Sequence, residues 1–138
     1  MGQTGDSSIM MIGNNAHFCY LMRRYIRKSM FQILFSTLGD EALGLAQREK
    51  PEAIVLEVER PGTSSWQILR ALKGHPDTQS IPVVLCSWHD ESKHGLEAGA
   101  NACLRLPILY EDFLAALTHT GVIDPHAKEN FHESKNRV

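Results

Sequence analysis

Short apolar runs alternate along the chain with longer stretches in which apolar residues recur every three or four positions. The runs lie near 9–12, 32–36, 53–58, 82–87 and 102–104, and the stretches near 16–29, 39–50, 64–74, 91–98 and 110–120. Short apolar runs without alternation are typical of strands buried on both faces, whereas apolar residues at every third or fourth position predict helices. Asn15 is expected to cap the first helix, and Ser64 or Ser65 the third. Five strand–helix pairs predict an α/β fold, a doubly wound parallel sheet with helices on both faces.

The run at 53–58 contains one charged residue, Glu57. Burial of a carboxylate is costly, so we expect Glu57 at the carboxyl edge of the sheet, where the sheet opens to water. Ligands and chemistry in open parallel sheets are normally found at this edge. The ends of the other strands should bring Asn14, Asn15, Ser87 and Leu106 to the same edge.

A length of 138 residues predicts one compact domain. The composition, 43% hydrophobic and 22% charged, is that of a globular protein. We expect the domain to cover residues 9–122. Residues 1–8 should form a flexible N-terminus, and residues 123–138 should form a disordered tail, because they contain few apolar side chains.

The net charge of −2 gives no reason to expect nucleic acid or an anionic membrane as a partner. No apolar run approaches the roughly 20 residues that span a bilayer, and the start lacks the features of a signal peptide. We therefore expect a cytoplasmic protein. Three cysteines without paired spacing fit reduced thiols, with Cys86 and Cys103 in separate strands. His89 and His94 lie five positions apart, which does not suit a metal site on one helical face.

Several segments together resemble the receiver domain of bacterial two-component response regulators, over about residues 9–122. They are Leu56-Glu57-Val58 with Pro61-Gly62, Leu69-Arg70-Ala71-Leu72-Lys73, Ile81-Pro82-Val83-Val84, Leu96-Glu97-Ala98-Gly99-Ala100, and Pro107. The resemblance implies a five-stranded sheet in the order 2-1-3-4-5. It also implies an activity in which an aspartate, with Mg²⁺ bound, accepts a phosphoryl group from a histidine kinase.

The residues that would bind the metal and accept the phosphoryl group are replaced. Asn14 and Asn15 stand where the family has the acidic pair that holds Mg²⁺, and Glu57 stands at the phosphoacceptor aspartate. A hard dication prefers several carboxylate oxygens, so we expect weak or no Mg²⁺ binding and no other cofactor. Glu57 is one methylene longer than aspartate, which displaces the nucleophile.

The residues that would surround the phosphoryl group differ as well. Leu106 stands at the family's lysine, so no side chain is placed to offset the charge of a transferred phosphoryl. Ser87 keeps the expected type, but the bulky Trp88 follows it and should fill or cover the pocket. Cys103 stands at the aromatic switch position and has no large ring to rotate. We therefore expect a pseudo-receiver without catalytic residues, and not an enzyme. The resemblance also predicts a cis Leu106–Pro107 bond.

A basic stripe on the predicted first helix offers a docking surface. It consists of Arg23, Arg24, Arg27 and Lys28. The stripe is either a solvated helix face or, as the resemblance implies, the surface at which receivers meet kinases or phosphotransfer proteins. Family analogy also suggests partner binding or homodimerisation through the fourth helix, fifth strand and fifth helix.

These observations predict a single-domain receiver-like protein in phosphorelay signalling that acts as a phosphorylation-independent protein–protein interaction module. Its partner would be a histidine kinase, a phosphotransfer protein or a downstream regulator. Glu57 is then either a carboxylate without function, held by the Asn14, Asn15 or Ser87 side chains, or an anion that mimics the phosphorylated state. Two alternatives stay open. In the first, Glu57 is an active phosphoacceptor with an unusual metal site. In the second, the domain is a sensor whose altered pocket, lined by Asn14, Asn15, Trp88 and Leu106, binds a small neutral molecule.

Overall fold

The computed structural model describes residues 7–37, 41–58 and 64–123. Strands and helices alternate throughout, and all five predicted pairs are confirmed. The strands are β1 (Ser8–Ile12), β2 (Gln32–Ser36), β3 (Ala53–Val58), β4 (Val83–Ser87) and β5 (Ala102–Arg105). The helices are α1 (Ala16–Lys28), α2 (Glu41–Glu49), α3 (Ser64–Gly74), α4 (Ser92–Glu97) and α5 (Tyr110–His119).

The strands form one parallel sheet in the order β2-β1-β3-β4-β5, as predicted. Each strand needs a crossover helix to reach its parallel neighbour, which explains the strict alternation along the chain. The order reverses between β1 and β3. The carboxyl ends of these strands therefore border the crevice where open α/β sheets place their sites.

Apolar side chains cover both faces of the sheet, which is why the strands carry continuous apolar runs. On one face the core includes Phe18 of α1 and Phe113 of α5. On the other it includes Trp66 and Leu69 of α3. Trp66 is a core residue, since only 4% of it is exposed. In the described ranges, no helix combines the length and apolar character needed to cross a membrane.

The ends of the described domain differ slightly from the predicted bounds. Ser8, expected in the flexible N-terminus, is buried as the first residue of β1, and the carbonyl of Ser7 accepts a hydrogen bond from Gln32. Ile123, expected in the tail, donates its N–H to Leu117 and packs against the core. The rest of both predicted segments, residues 1–6 and 124–138, lies outside the described residues, as does the Pro-Gly pair at 61–62.

The predicted helix caps have different outcomes. Asn15 Oδ1 accepts a hydrogen bond from the Phe18 N–H at 3.0 Å, which confirms the cap of α1. For α3 the prediction named Ser64 or Ser65. Ser65 does not cap the helix, because it is the second residue within it, and the Ser64 side chain lies outside what the structure describes. The buried Ser65 hydroxyl donates to the Glu57 carbonyl oxygen at 2.7 Å and ties the first turn of α3 to β3.

Candidate functional site

The carboxyl ends of β1, β3, β4 and β5 meet at one edge of the sheet. Backbone amides after β1 contact the Glu57 side chain, Glu57 lies opposite Cys86 in the β3–β4 register, and Leu106 N–H donates to the Ser87 carbonyl at 2.7 Å. The predicted convergence of the strand-end residues is therefore confirmed.

We expected the Glu57 carboxylate to be open to water. It is not, because 0% of the residue is exposed. Its Oε1 accepts hydrogen bonds from the backbone N–H groups of Asn14 at 3.0 Å and Asn15 at 3.1 Å. These donors lie at the start of α1, where unpaired N–H groups and the helix dipole favour an anion. The carboxylate is thus held by backbone amides of the β1–α1 loop, and not by the Asn14, Asn15 or Ser87 side chains that one of the two interpretations of Glu57 had named.

Gly13 makes this close approach possible. A Cβ at this position would lie 2.7 Å from Glu57 Oε1 and 2.7 Å from Phe18 Cε2, closer than real Cβ atoms come. Only glycine lets the loop backbone close over the carboxylate. The sequence contains no sign that a buried carboxylate requires glycine at position 13.

The second carboxylate oxygen, Oε2, is buried without a hydrogen-bond partner among the described residues. The ion pairs found in those residues join His75 to Asp77 and His94 to Glu91, so no described cation pairs with Glu57. Backbone amides alone therefore offset part of the cost of burying this group.

Leu106 and Trp88 close the apolar side of the site. Leu106, 4% exposed, belongs to the core cluster that also contains Phe18 and Ile108. Trp88 is half-buried against this cluster, and its ring centroid lies 5.8 Å from that of the exposed His17. The apolar packing of Leu106 thus takes the place of the lysine that the family resemblance implies at this position. His17 was not singled out from the sequence, which contains no pattern linking it to Trp88.

The two switch-equivalent residues, Ser87 and Cys103, have ordinary structural contacts. The buried Ser87 hydroxyl accepts a hydrogen bond from His89 N–H at 3.1 Å, and Cys103 Sγ lies 3.8 Å from the Ser92 carbonyl oxygen. A Cβ on Gly95 would lie 2.6 Å from Cys103 Sγ, so α4 packs directly on the thiol. Both switch residues line a cavity of about 10 Å³, which is room for one water molecule.

All three thiols are free, and Cys86 and Cys103 lie in separate strands as predicted. These strands, β4 and β5, are neighbours in the sheet. Burial, more than any charge, raises the pKa of each thiol. The negative charge of Glu57 adds to this effect on the pKa of Cys19. These environments favour the protonated, unreactive form of each thiol.

The residues at the strand ends are a poor fit for Mg²⁺. Two N–H groups direct partial positive charge at Glu57 Oε1, and Asn15 Oδ1 is engaged as a helix cap. Glu57 is the one carboxylate among the strand-end residues, whereas Mg²⁺ sites in proteins favour carboxylate oxygens in octahedral geometry. Across residues 7–37, 41–58 and 64–123, no group of three His, Cys, Asp or Glu side chains is arranged to hold a metal ion.

The predicted basic stripe lies on the surface of α1. Arg23, Arg24, Arg27 and Lys28 are all exposed. Three of these cations lie over aromatic rings: Arg23 over Phe35 at 6.0 Å, Arg24 over Tyr20 at 5.7 Å, and Lys28 over Tyr110 at 4.4 Å. None of the four forms an ion pair with a carboxylate of the described residues.

Comparison with known proteins agrees with this architecture. Residues 9–118 match the family described as the response regulator receiver domain. The chain belongs to this family. The receiver domain is 34% identical over 91 residues to response regulator PleD of Caulobacter vibrioides, covering 64% of this chain and 20% of PleD. It is 25% identical over 112 residues to protein PilH of Pseudomonas aeruginosa, covering 79% of this chain and 93% of PilH.

Solved structures show the same fold. The chemotaxis response regulator CheY4 of Vibrio cholerae superposes with a TM-score of 0.72 at 16% identity, covering 83% of this chain and 98% of that one. The receiver domain of a sensor histidine kinase from Pseudomonas aeruginosa superposes with a TM-score of 0.71 at 16% identity, over the same shares. That protein has a magnesium ion coordinated in its active site cleft. The present chain is thus a response regulator receiver domain of two-component signalling.

Proposed function

We propose that this receiver domain is an interaction module whose conformation does not depend on phosphorylation. One observation carries the proposal: the carboxylate at the phosphoacceptor position, Glu57, has no exposed surface. Phosphoryl transfer requires the nucleophile within about 3–3.5 Å of the phosphorus and in line with the leaving group. Within the described residues the β1–α1 loop covers the carboxylate through the Asn14 and Asn15 amides, which counts against its attack on a donor outside the domain.

The surroundings of Glu57 support the proposal through charge. A phosphoryl group in transfer needs cations or donors aimed at its equatorial oxygens. Leu106 contributes apolar packing at the position where the family has lysine, and the asparagines contribute backbone N–H groups already bonded to Glu57. The described residues of this site therefore supply few positive charges or free donors to offset the negative charge of a phosphoryl group beside that of Glu57.

The two amide bonds suggest what Glu57 does instead. They join the end of β3 to the start of α1, and so hold the loop in one arrangement around a permanent anion. A carboxylate carries about −1 charge, against about −1.5 to −2 for a phosphoryl group, so it is a weaker mimic of the phosphorylated state. We infer that Glu57 stabilises a single signalling conformation.

The proposed partner is a histidine kinase, a phosphotransfer protein or a downstream regulator that docks on the basic stripe of α1. Four exposed cations without carboxylate partners in the described residues favour an acidic surface. Homodimerisation through α4, β5 and α5, non-enzyme status and a cytoplasmic location stay predictions. The ligand-sensor alternative has less support, because the Leu106 side chain is packed in the core.

The experiment that tests this function is incubation with acetyl phosphate and Mg²⁺, followed by intact-mass spectrometry. A conventional receiver domain serves as the positive control, and Glu57→Gln is the matched variant. We expect the mass of the wild-type chain to stay unchanged. A gain of one phosphoryl group that disappears in Glu57→Gln would overturn the proposal and assign phosphoacceptor activity to Glu57.

A further inference from the structure

Strand β2 is an edge of the described sheet, and some of its backbone N–H and C=O groups point away from its neighbour β1. The Gln32 N–H donates to Ser7 and the Ser36 carbonyl accepts from Gly13, so the even-numbered residues of β2 face β1. In a strand the next residues point their N–H and C=O groups the opposite way. Ile33 and Phe35 therefore present unpaired backbone groups on the outer side, within the part of the chain that the structure describes.

The side chains along this edge lack the usual protection against pairing with another chain. Native edge strands commonly carry charges, prolines or bulges. The sequence of β2, Gln-Ile-Leu-Phe-Ser, has no charge and no proline. Phe35 is 43% exposed, and Ile33 and Leu34 are partly exposed. The edge is apolar, which suits an added strand.

Met30, just before β2, places an exposed apolar side chain beside this edge. Its φ of +72° is that of a residue that ends α1, where the Met30 N–H donates to the Arg27 carbonyl at 3.0 Å and the Phe31 N–H to the Ile26 carbonyl at 3.3 Å. The residue is 89% exposed. A flexible, exposed methionine beside a free edge is available for contact with an added strand.

The charges beside the edge select the kind of partner. Arg23 lies over the Phe35 ring, and Arg27 follows one helical turn later on the same side of α1. Two copies joined by antiparallel pairing of β2 would bring their α1 helices side by side, with these arginines facing each other. That repulsion disfavours a second copy and favours an acidic segment.

We propose that the free edge of β2 receives an extended acidic segment of a partner protein as a sixth strand. Acidic side chains of the segment face Arg23 and Arg27, and alternate apolar side chains pack beside Leu34 on the opposite face of the sheet. The Ile33 and Phe35 backbone groups form the ladder. This inference rests on the proposed role as an interaction module and names the chemistry of one partner.

The test is an NMR titration with a capped peptide of about seven alternating glutamate and valine residues, a typical strand length. We expect the Ile33 and Phe35 amides to shift and their hydrogen exchange to slow, while the Leu34 amide, already paired with β1, changes little. A peptide with lysine in place of glutamate should produce neither effect. Unchanged Ile33 and Phe35 amides would overturn the proposal.

Matched variants separate this surface from the rest of α1. Arg23→Glu with Arg27→Glu should weaken peptide binding about tenfold, whereas Arg24→Glu, on the Tyr20 side of the helix, should change it less than about twofold. Met30→Gly should raise Tm and yet weaken binding, a combination that a purely structural role does not produce. Equal losses in both arginine variants would contradict the assignment.

Sedimentation analysis addresses the competing occupant. A dimer abolished by Phe35→Glu would assign the edge to a second copy and overturn the proposal. If the peptide does not bind at β2, the proposed function can still hold, because phosphoryl uptake at Glu57 is measured in a separate experiment without any peptide.

Discussion

Glu57→Asp is an informative perturbation because it keeps the charge and changes only the length of the side chain. Loss of one methylene withdraws the carboxylate by about 1.5 Å, the length of a C–C bond. Oε1 now accepts from Asn14 at 3.0 Å and Asn15 at 3.1 Å. After the withdrawal both distances exceed hydrogen-bond range. The variant also restores the residue type that the family resemblance places at this position.

The expected loss of stability follows from these two bonds. A hydrogen bond to a charged group contributes about 1.5–3 kcal/mol. Asn14 is exposed, so water replaces part of what is lost, and the low end of the range applies. Two bonds then give about 3 kcal/mol, a large fraction of the roughly 5–15 kcal/mol that stabilises a domain. The corresponding fall in Tm is about 10 °C.

Urea unfolding followed by tryptophan fluorescence measures this loss, with Glu52→Asp as the control. Glu52 is exposed and lies just before the same strand, so its shortening should change stability by less than about 0.5 kcal/mol. The Asn14 and Asn15 amide proton resonances should move upfield in Glu57→Asp, because they lose a charged acceptor. Equal stability of the two variants would refute the role given to the carboxylate, as would amide resonances unchanged from the wild type.

Three further predictions concern the same region. Gly13→Ala should destabilise the domain by about 1–3 kcal/mol in urea unfolding, since its Cβ would lie 2.7 Å from Glu57 Oε1. Gly44→Ala, inside α2 with its nearest atom at 3.8 Å, should stabilise by up to about 1 kcal/mol, and the opposite order of the two would contradict the packing described. Ser65→Ala should lower unfolding free energy by about 1 kcal/mol through loss of its bond to the Glu57 carbonyl; an unchanged value would show that this bond contributes nothing. Burial raises the pKa of Cys86, so the folded thiol stays protonated where the unfolded one ionises, and stability should fall above about pH 8.5 by at most about 1.4 kcal/mol per pH unit. Cys86→Ala should have a lower stability at neutral pH but a shallower decline, and an equal slope in both chains would exclude the thiol as its cause.

The architecture was predictable because each local signal agreed with the global fold. The strands β1, β3 and β4 are buried on both faces. Strands of this kind appear in a sequence as continuous apolar runs, which are easy to recognise. Parallel connectivity then brings the strand ends together whatever the loops contain. The convergence of Asn14, Asn15, Glu57, Ser87 and Leu106 followed from topology alone.

The burial of Glu57 was not predictable, because backbone amides hold the carboxylate. Every residue except proline has an N–H group, so no side-chain pattern marks a loop that will donate two of them to an anion. The hydrogen bond of Ser65 was not predictable for a related reason. A serine at a helix start has a choice between capping its own helix and bonding a nearby carbonyl, and only the packing of α3 on β3 decides.

The contact between Trp88 and His17 depends on tertiary packing as well. Sequence reasoning placed the large ring beside the site, because Trp88 directly follows the Ser87 position. The partner ring comes from the first turn of α1, which reaches the same edge only because β1 and β4 lie on opposite sides of β3. Sequence separation conceals a contact of this kind.

The central claim, that phosphoryl chemistry does not operate this domain, is tested most directly by a heteronuclear NMR titration. Mg²⁺ is added first, followed by beryllofluoride as a phosphoryl mimic, and the fluorescence of Trp88 provides a second signal. The account predicts no saturating change at Glu57, at Ser87 or along β5. Saturating shifts at these positions would contradict it and establish the site as a working phosphoacceptor.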